Sequence, residues 1–165
     1  MTKTIYYEIK QIHNHKYVIA ATAKGLAFVG SPDKEISEIY SFYQHSKLIE
    51  DDKVIAPYYR QLKEFMDHKR TSFELSTDVS GTDFQEQVWH AVQDVPYGST
   101  SNYSEIASTI GRPKAVRAVG TAIGRNPILM VIPCHRILTK DNKLGGFRAG
   151  LEMKKELLEL ESSNK

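Results

Sequence analysis

Residues 101–124, "SNYSEIASTIGRPKAVRAVGTAIG", constrain the fold more than any other stretch of this chain. Asn102 with Glu105 three residues on resembles a capping box, opening a short helix "YSEIASTI" that buries Ile106 and Ile110. Gly111 stops it, and Pro113 can start a second helix running to about Gly124. Two helices across a tight Gly-Arg-Pro turn predict a helix-turn-helix. At 100° per residue, Val116, Val119 and Ile123 share the core face, with Ala115, Ala118 and Ala122 beside them. Lys114, Arg117 and Thr121 fall on the remaining side. Small residues bordered by cations let a helix approach a phosphate backbone closely; the other reading is a helical hairpin whose small residues pack on a neighbouring helix.

Charge favours the first reading. The net charge is only +2, and residues 1–80 carry 11 basic and 11 acidic side chains. Residues 111–148 carry Arg112, Lys114, Arg117, Arg125, Arg136, Lys140, Lys143 and Arg148 against Asp141 alone, a local +7. Such a patch suits a polyanionic partner, because neutralising phosphates releases condensed counterions.

The first half has a different texture. "KYVIAATAKGLAFVG" places two apolar runs on either side of Lys24-Gly25, a hairpin signal. Ile36, Ile39, Tyr40 and Tyr43 then recur at helical spacing. Tyr58, Leu62, Phe65 and Met66 make a second apolar stripe after Pro57, a residue suited to a first helical turn. The turn-prone "STDVSGTD" at 76–83 reads as a linker, dividing the chain into domains 1–78 and 79–165. Past it, Phe84, Val88, Trp89 and Val92 mark one face of a further helix.

No apolar run approaches the roughly 18 residues that span a bilayer, and "MTKTIYYEIK" lacks the apolar core of a signal peptide. The expected setting is a reducing cytoplasm, or a nucleus if the source is eukaryotic, with no membrane partner. The chain has a single cysteine, so an internal disulfide is impossible and a zinc site is not expected. Cys134 is either a packed thiol or a reactive one. It stands in "VIPCHRIL", at the end of an apolar run suited to a buried strand, with Pro133 restraining the backbone and His135 next in line. A free thiol has a pKa near ~8.5 and reacts as the thiolate, so it needs a base and a cationic setting. His135 can accept the proton, and Arg136 with the surrounding cations can stabilise the anion. Neighbours on a strand point opposite ways, so a contact between them requires a turn or a bridging water.

Three other residues can serve this site. Tyr103 offers a hydroxyl at the start of the first helix of the pair. Glu161, in the C-terminal "GLEMKKELLELE", can accept from the second ring nitrogen of His135. Asn126 can hold the Asn-Pro turn that joins helix to cysteine segment.

"PYGSTSNYSEIA", "KAVRAVGTAIGRNP", "IPCHR" and "GGFRAGLEMKKELL" together resemble the O6-alkylguanine-DNA alkyltransferases, in order and in spacing, over residues 80–161. The resemblance implies an α+β chain, with a ribonuclease H-like N-terminal domain and a mainly helical C-terminal domain that contains the helix-turn-helix. It implies a monomer that binds the minor groove of double-stranded DNA, with Arg117 filling the gap left by an extruded nucleotide and Tyr103 helping to rotate it out. By the same resemblance Cys134 attacks the alkyl carbon of O6-alkylguanine or O4-alkylthymine, His135 and Glu161 relay the proton, and Tyr103 donates to N3 of the base. Asn126 ties helix to site, and Lys114, Ala115, Ala118, Thr121 and Arg125 join Arg117 and Tyr103 on the DNA face. Pro133, Ile137, Arg148 and Ala149 are expected to line the alkyl pocket. The reaction is stoichiometric and calls for no cofactor or metal; His13 and His15 read as turn residues.

Thr121 stands where the family often has glycine, adding bulk at the helix surface. Ala149 stands where many bacterial members have tryptophan, implying a roomier pocket. Rival readings are a helix-turn-helix regulator with an inert cysteine, a cysteine hydrolase, and a non-catalytic lesion binder. The alanine-rich second helix, with few base-reading side chains, weighs against the regulator. A hydrolase would need an oxyanion hole. Relatives that only bind lesions replace the cysteine.

Overall fold

The computed structural model describes residues 3–163, which divide into two compact units. The first unit ends at Val79 and also takes in residues 127–129. Its strands are β1 (Thr4–Ile12), β2 (His15–Thr22), β3 (Gly25–Val29) and β4 (Lys47–Glu50), in the order β3-β2-β1-β4. Neighbours are antiparallel except β1 and β4, which run parallel, an arrangement expected of a ribonuclease H-like sheet. The Lys24-Gly25 hairpin forms as the sequence predicts, with Thr22 paired to Gly25. A Cβ on Gly25 would lie 2.7 Å from the Ser76 carbonyl, so only glycine admits this approach.

β2 and β3 are buried on both faces, hence their unbroken apolar runs. One face holds a cluster of Ile5, Val18, Ala20, Phe28 and Ile39. Helix α1 (Asp52–Met66) packs on β1 and β2, bringing Ile55, Leu62 and Phe65 into the core. Asp51 caps it by accepting from the amides of Lys53 and Val54, so the helix begins five residues before Pro57. The proline is therefore interior, not in the first turn. The apolar residues around Ile39 form a 3-10 helix, Ile36–Ser41, that leaves Tyr40 exposed; an α-helical stripe was expected there. The turn-rich segment near 76–78 is pinned rather than loose: Leu26 donates to Ser76 O at 3.0 Å and Asp78 donates back to Leu26 O at 2.7 Å.

The second unit comprises residues 80–126 and those from 130 onward. Its elements are α2 (Asp83–Gln93), β5 (Ser101–Asn102), α3 (Tyr103–Thr109), α4 (Val116–Gly124), β6 (Ile137–Leu138) and α5 (Leu151–Ser163). Thr82 and Gln85 form a reciprocal capping box at the start of α2, and Trp89 Nε1 donates to Ala122 O at 2.9 Å, tying α2 to α4. Asn102 caps α3 by accepting from Glu105 N at 2.9 Å. Ile106 and Ala107 are buried, whereas Ile110 is the half-buried C-cap.

The helix-turn-helix is present, with its second helix shorter than predicted. Residues 113–115 form a turn, so Lys114 and Ala115 precede α4 instead of lying on its face. Ala122 is buried and Val116 only partly so, which reverses the expected placing of these two. The run 128–132 is not a strand: Ile128 makes one bridge to Val29 in the first unit, and the chain then turns at Met130, at φ 72°. Among the described residues no helix is long and apolar enough to cross a membrane.

Candidate active site

Cys134 sits in a 3-10 turn, Cys134–Arg136, rather than at a strand end. Pro133, at φ −81° and ψ 60°, adopts an inverse γ-turn that closes through Cys134 N donating to Ile132 O at 2.8 Å. The proline ring's preference for φ near −65° suits that turn. Arg136 N then donates to Pro133 O at 2.9 Å, completing the reversal that lets consecutive residues work on one site.

The thiol is 3% exposed. Asn126 lies across the loop, donating from Nδ2 to Ile132 O at 2.8 Å and to Cys134 Sγ at 3.0 Å. It therefore does more than hold a turn, since a donor aimed at sulfur favours the thiolate over the thiol. Burial nevertheless dominates and pushes the thiol above its ordinary value, against the pull of Asn126 and of the Arg148 and Lys154 charges. The resting thiol keeps its proton, so a base is required.

His135 is fully buried, and its Nε2 lies 2.6 Å from Glu161 Oε2. The carboxylate can only accept, so Nε2 carries the hydrogen and Nδ1 presents a lone pair. Among the described residues Nδ1 has no hydrogen-bond partner, which leaves it the nitrogen able to take a proton. Burial lowers the His135 pKa, outweighing the hydrogen bond and charge of Glu161 that raise it, so the ring is neutral and competent as a base. Burial would raise the Glu161 carboxyl, but hydrogen bonds from His135 and Arg136 overcome it and hold the group at about 2.

Arg136 does not stabilise the sulfur directly, as the sequence suggested. Its guanidinium forks onto Glu161, Nε to Oε1 at 2.8 Å and NH2 to Oε2 at 2.9 Å, while NH1 donates to Val95 O at 2.7 Å. The arginine thus fixes the carboxylate that fixes the histidine. Parallel pairing of Ser101 with Ile137 and Asn102 with Leu138 sets the start of α3 beside the cysteine turn. Tyr103 is half-buried there, its hydroxyl raised by burial and then by the Cys134 charge.

A cavity of about 470 Å³ opens between α4 and the loop 139–148, lined by Tyr103, Gly120, Gly124, Gly145, Phe147 and Arg148 among others. Its size suits one nucleobase with a substituent. A Cβ on Gly145, at φ 67°, would come 3.2 Å from the Tyr103 hydroxyl and 3.2 Å from Thr139 Cγ2. Arg148 lines this cavity, where its Nε also donates to Asn126 O at 3.2 Å, whereas Cys134 is not among the lining residues. Pro133 makes the γ-turn, Ile137 is spent in β6 at zero exposure, and Ala149 is half-buried outside the lining. The wall at this point belongs to Phe147 and Arg148.

On α4 the exposed face carries Arg117, Ala118 and Thr121, followed by Gly124 and the C-cap Arg125. Thr121 is exposed and turns its hydroxyl back to Arg117 O at 3.2 Å. Lys114 is exposed on the turn before the helix and Ala115 half-buried at its N-cap. A second depression, of about 640 Å³, lies against α2 with Asp83, Glu86 and Asp94 in its lining, a charge of the wrong sign for DNA.

Residues 83–163 match the family described as 6-O-methylguanine DNA methyltransferase, DNA binding domain. Over 162 residues the chain is 43% identical to the inducible methylated-DNA–protein-cysteine methyltransferase of Bacillus subtilis, covering 96% of this chain and 90% of that one. The chain belongs to the methylated-DNA–protein-cysteine methyltransferase family. A member from Methanosarcina barkeri is 41% identical over 161 residues, 97% and 99% of the two chains. The crystal structure of Mycobacterium tuberculosis OGT in complex with DNA superposes with a TM-score of 0.82 at 33% identity, covering 98% of this chain and 94% of that one.

Two features of this methyltransferase fold escaped the sequence reading. Phe147 was not singled out, and nothing in its local pattern marks it as a cavity wall. Lys154, fully buried, sits in a charged helix where composition does not separate it from exposed Lys155. Its signal was register: Lys154, Leu157 and Glu161 fall at i, i+3 and i+7, so two charged residues lie on the buried stripe of α5.

Proposed function

We propose that this protein repairs DNA by taking the alkyl group from O6-alkylguanine onto Cys134 Sγ, once per molecule. The observation that carries the reading is the buried chain of contacts from Asn126 to the sulfur and from His135 through Glu161 to Arg136. The chain binds DNA through its helix-turn-helix domain. α4 lies in the minor groove as a monomer binds, Arg117 occupies the place of the extruded nucleotide, and the guanine enters the cavity beside Tyr103.

Sγ then forms a bond to the alkyl carbon as the bond from that carbon to O6 breaks, the electron pair leaving with guanine. The thiol proton passes to Nδ1 of His135, directly or through water, and the imidazolium is held by the ionised Glu161. Tyr103 donates to N3 of the departing base, and the proton on His135 returns to neutralise the released guanine. Because burial favours both the protonated thiol and the neutral imidazole, proton transfer is uphill at rest and proceeds as sulfur attacks, as general-base catalysis requires. The thioether product is not readily hydrolysed, so repair capacity equals the number of molecules.

The test is an intact mass after mixing with an oligonucleotide that contains O6-methylguanine. One added methyl on Cys134, absent in Cys134→Ala, is the expected result. An adduct in Cys134→Ala, or none in the wild type while the DNA is bound, overturns the reading.

A further inference from the structure

Glu161 fixes the ring of His135 from the last turn of α5, the part of a helix that frays. A support placed there needs a clamp of its own, and the turn that follows α2 supplies one. Residues 95–98 make three contacts with the buried ion pair. The Gly98 amide donates to Glu161 Oε1 at 3.2 Å, Val95 O accepts from Arg136 NH1 at 2.7 Å, and the Tyr97 ring centre lies 5.6 Å from the Arg136 guanidinium carbon. One short segment thus offers a donor to the anion, and both an acceptor and a ring face to the cation. Ser99 N donates to Pro96 O at 3.0 Å, closing a turn whose third residue, Gly98, sits at φ 79°. Glycine takes that angle without steric cost. Each Glu161 oxygen then holds two donors: Oε1 those of Gly98 and Arg136 Nε, Oε2 those of His135 and Arg136 NH2. A carboxylate filled in this way cannot turn without breaking several bonds at once, so the hydrogen on His135 Nε2 stays in place and Nδ1 stays the basic nitrogen.

We propose that the turn 95–98 is a clamp that holds His135 in position for proton transfer. Tyr97 and Gly98 are its positioning residues, acting on the histidine through Arg136 and Glu161. The purpose of the clamp rests on the alkyl-transfer reading.

The experiment compares the wild type, Tyr97→Leu and Tyr97→Phe by two readouts: single-turnover transfer from free O6-benzylguanine, and the proton resonance of His135 Nε2–H, which its hydrogen bond to Glu161 moves downfield. Tyr97→Leu, shown to be folded by circular dichroism, should slow transfer by roughly tenfold or more, the order that a misplaced catalytic group costs, and should shift or broaden the resonance. Tyr97→Phe keeps the ring face and should restore both. A folded Tyr97→Leu that differs from the wild type only in melting temperature overturns the proposal, because a ring that merely supports the fold moves neither readout. Should Tyr97→Leu not fold, the wild type decides by hydrogen exchange. The Gly98 amide, held on a buried carboxylate, should exchange far more slowly than a solvent-exposed amide, and exchange at the exposed rate overturns the clamp. The resonance and the exchange need no alkyl donor, so their outcomes are separate from that of the oligonucleotide test.

Discussion

Asn126 Nδ2 lies 3.0 Å from Cys134 Sγ and 2.8 Å from Ile132 O, so one buried amide both supports the reacting atom and holds the loop that presents it. Replacing it by alanine removes a donor to the thiolate and one of the two donors to the Ile132 carbonyl, which keeps only the Cys134 amide. We expect Asn126→Ala to raise the thiol midpoint and slow single-turnover transfer, and to destabilise the protein by about 1–3 kcal/mol. Rapid-quench rates across pH and chemical denaturation measure the two effects. Unchanged rates would separate the amide from the chemistry.

Acid stability follows from the same cluster. His135 has its pKa lowered on folding, so its contribution is full above the unfolded value near 6.5 and declines as pH falls through the lower folded value. Glu161 is also lowered, to about 2 from 4.5, so its contribution is present above 4.5 and is lost as pH drops toward 2. Unfolding free energy should therefore fall in two stages below neutrality. In Glu161→Gln the stage between 4.5 and 2 should shrink, on a protein already weakened by roughly 3–5 kcal/mol because Arg136 is left buried without its anion. Urea melts at successive pH values test this.

Arg117 is exposed on α4, away from the buried proton chain. Arg117→Ala should slow transfer from O6-methylguanine in duplex DNA by about tenfold or more, the equivalent of roughly 1–3 kcal/mol of lost stacking. Transfer from free O6-benzylguanine should be unaffected. Equal loss on both substrates would mean the side chain supports the cavity rather than the DNA.

Gly145 combines φ 67° with a Cβ position 3.2 Å from the Tyr103 hydroxyl. Gly145→Ala should cost about 1–2 kcal/mol in backbone strain and displace Tyr103, slowing free-base and duplex reactions alike. Thermal unfolding and single-turnover rates check both halves.

The course of these residues shows what local pattern can carry. The Lys24-Gly25 hairpin, helix α2, the capped helix α3 and the His135–Glu161 contact were legible because each rests on spacing of a few residues or on one recognisable run of motifs. The start of α1 was misplaced because Asp51 is a better cap than the proline that drew attention, and that of α4 because residues 113–115 prefer a turn. The run 128–132 looked like a strand, but apolar residues satisfied by burial from several directions need no ladder.

By itself the sequence determined an α+β chain with a helix-turn-helix and one thiol beside a base. Helix periods, caps and turn residues act over a few residues, where the chain's own stereochemistry decides. Only the tertiary structure assigned the charges. It gave Arg136 to Glu161, aimed Asn126 at sulfur and buried Lys154 without a carboxylate, because the pairing of charged groups depends on which segments burial brings together and how little water remains among them.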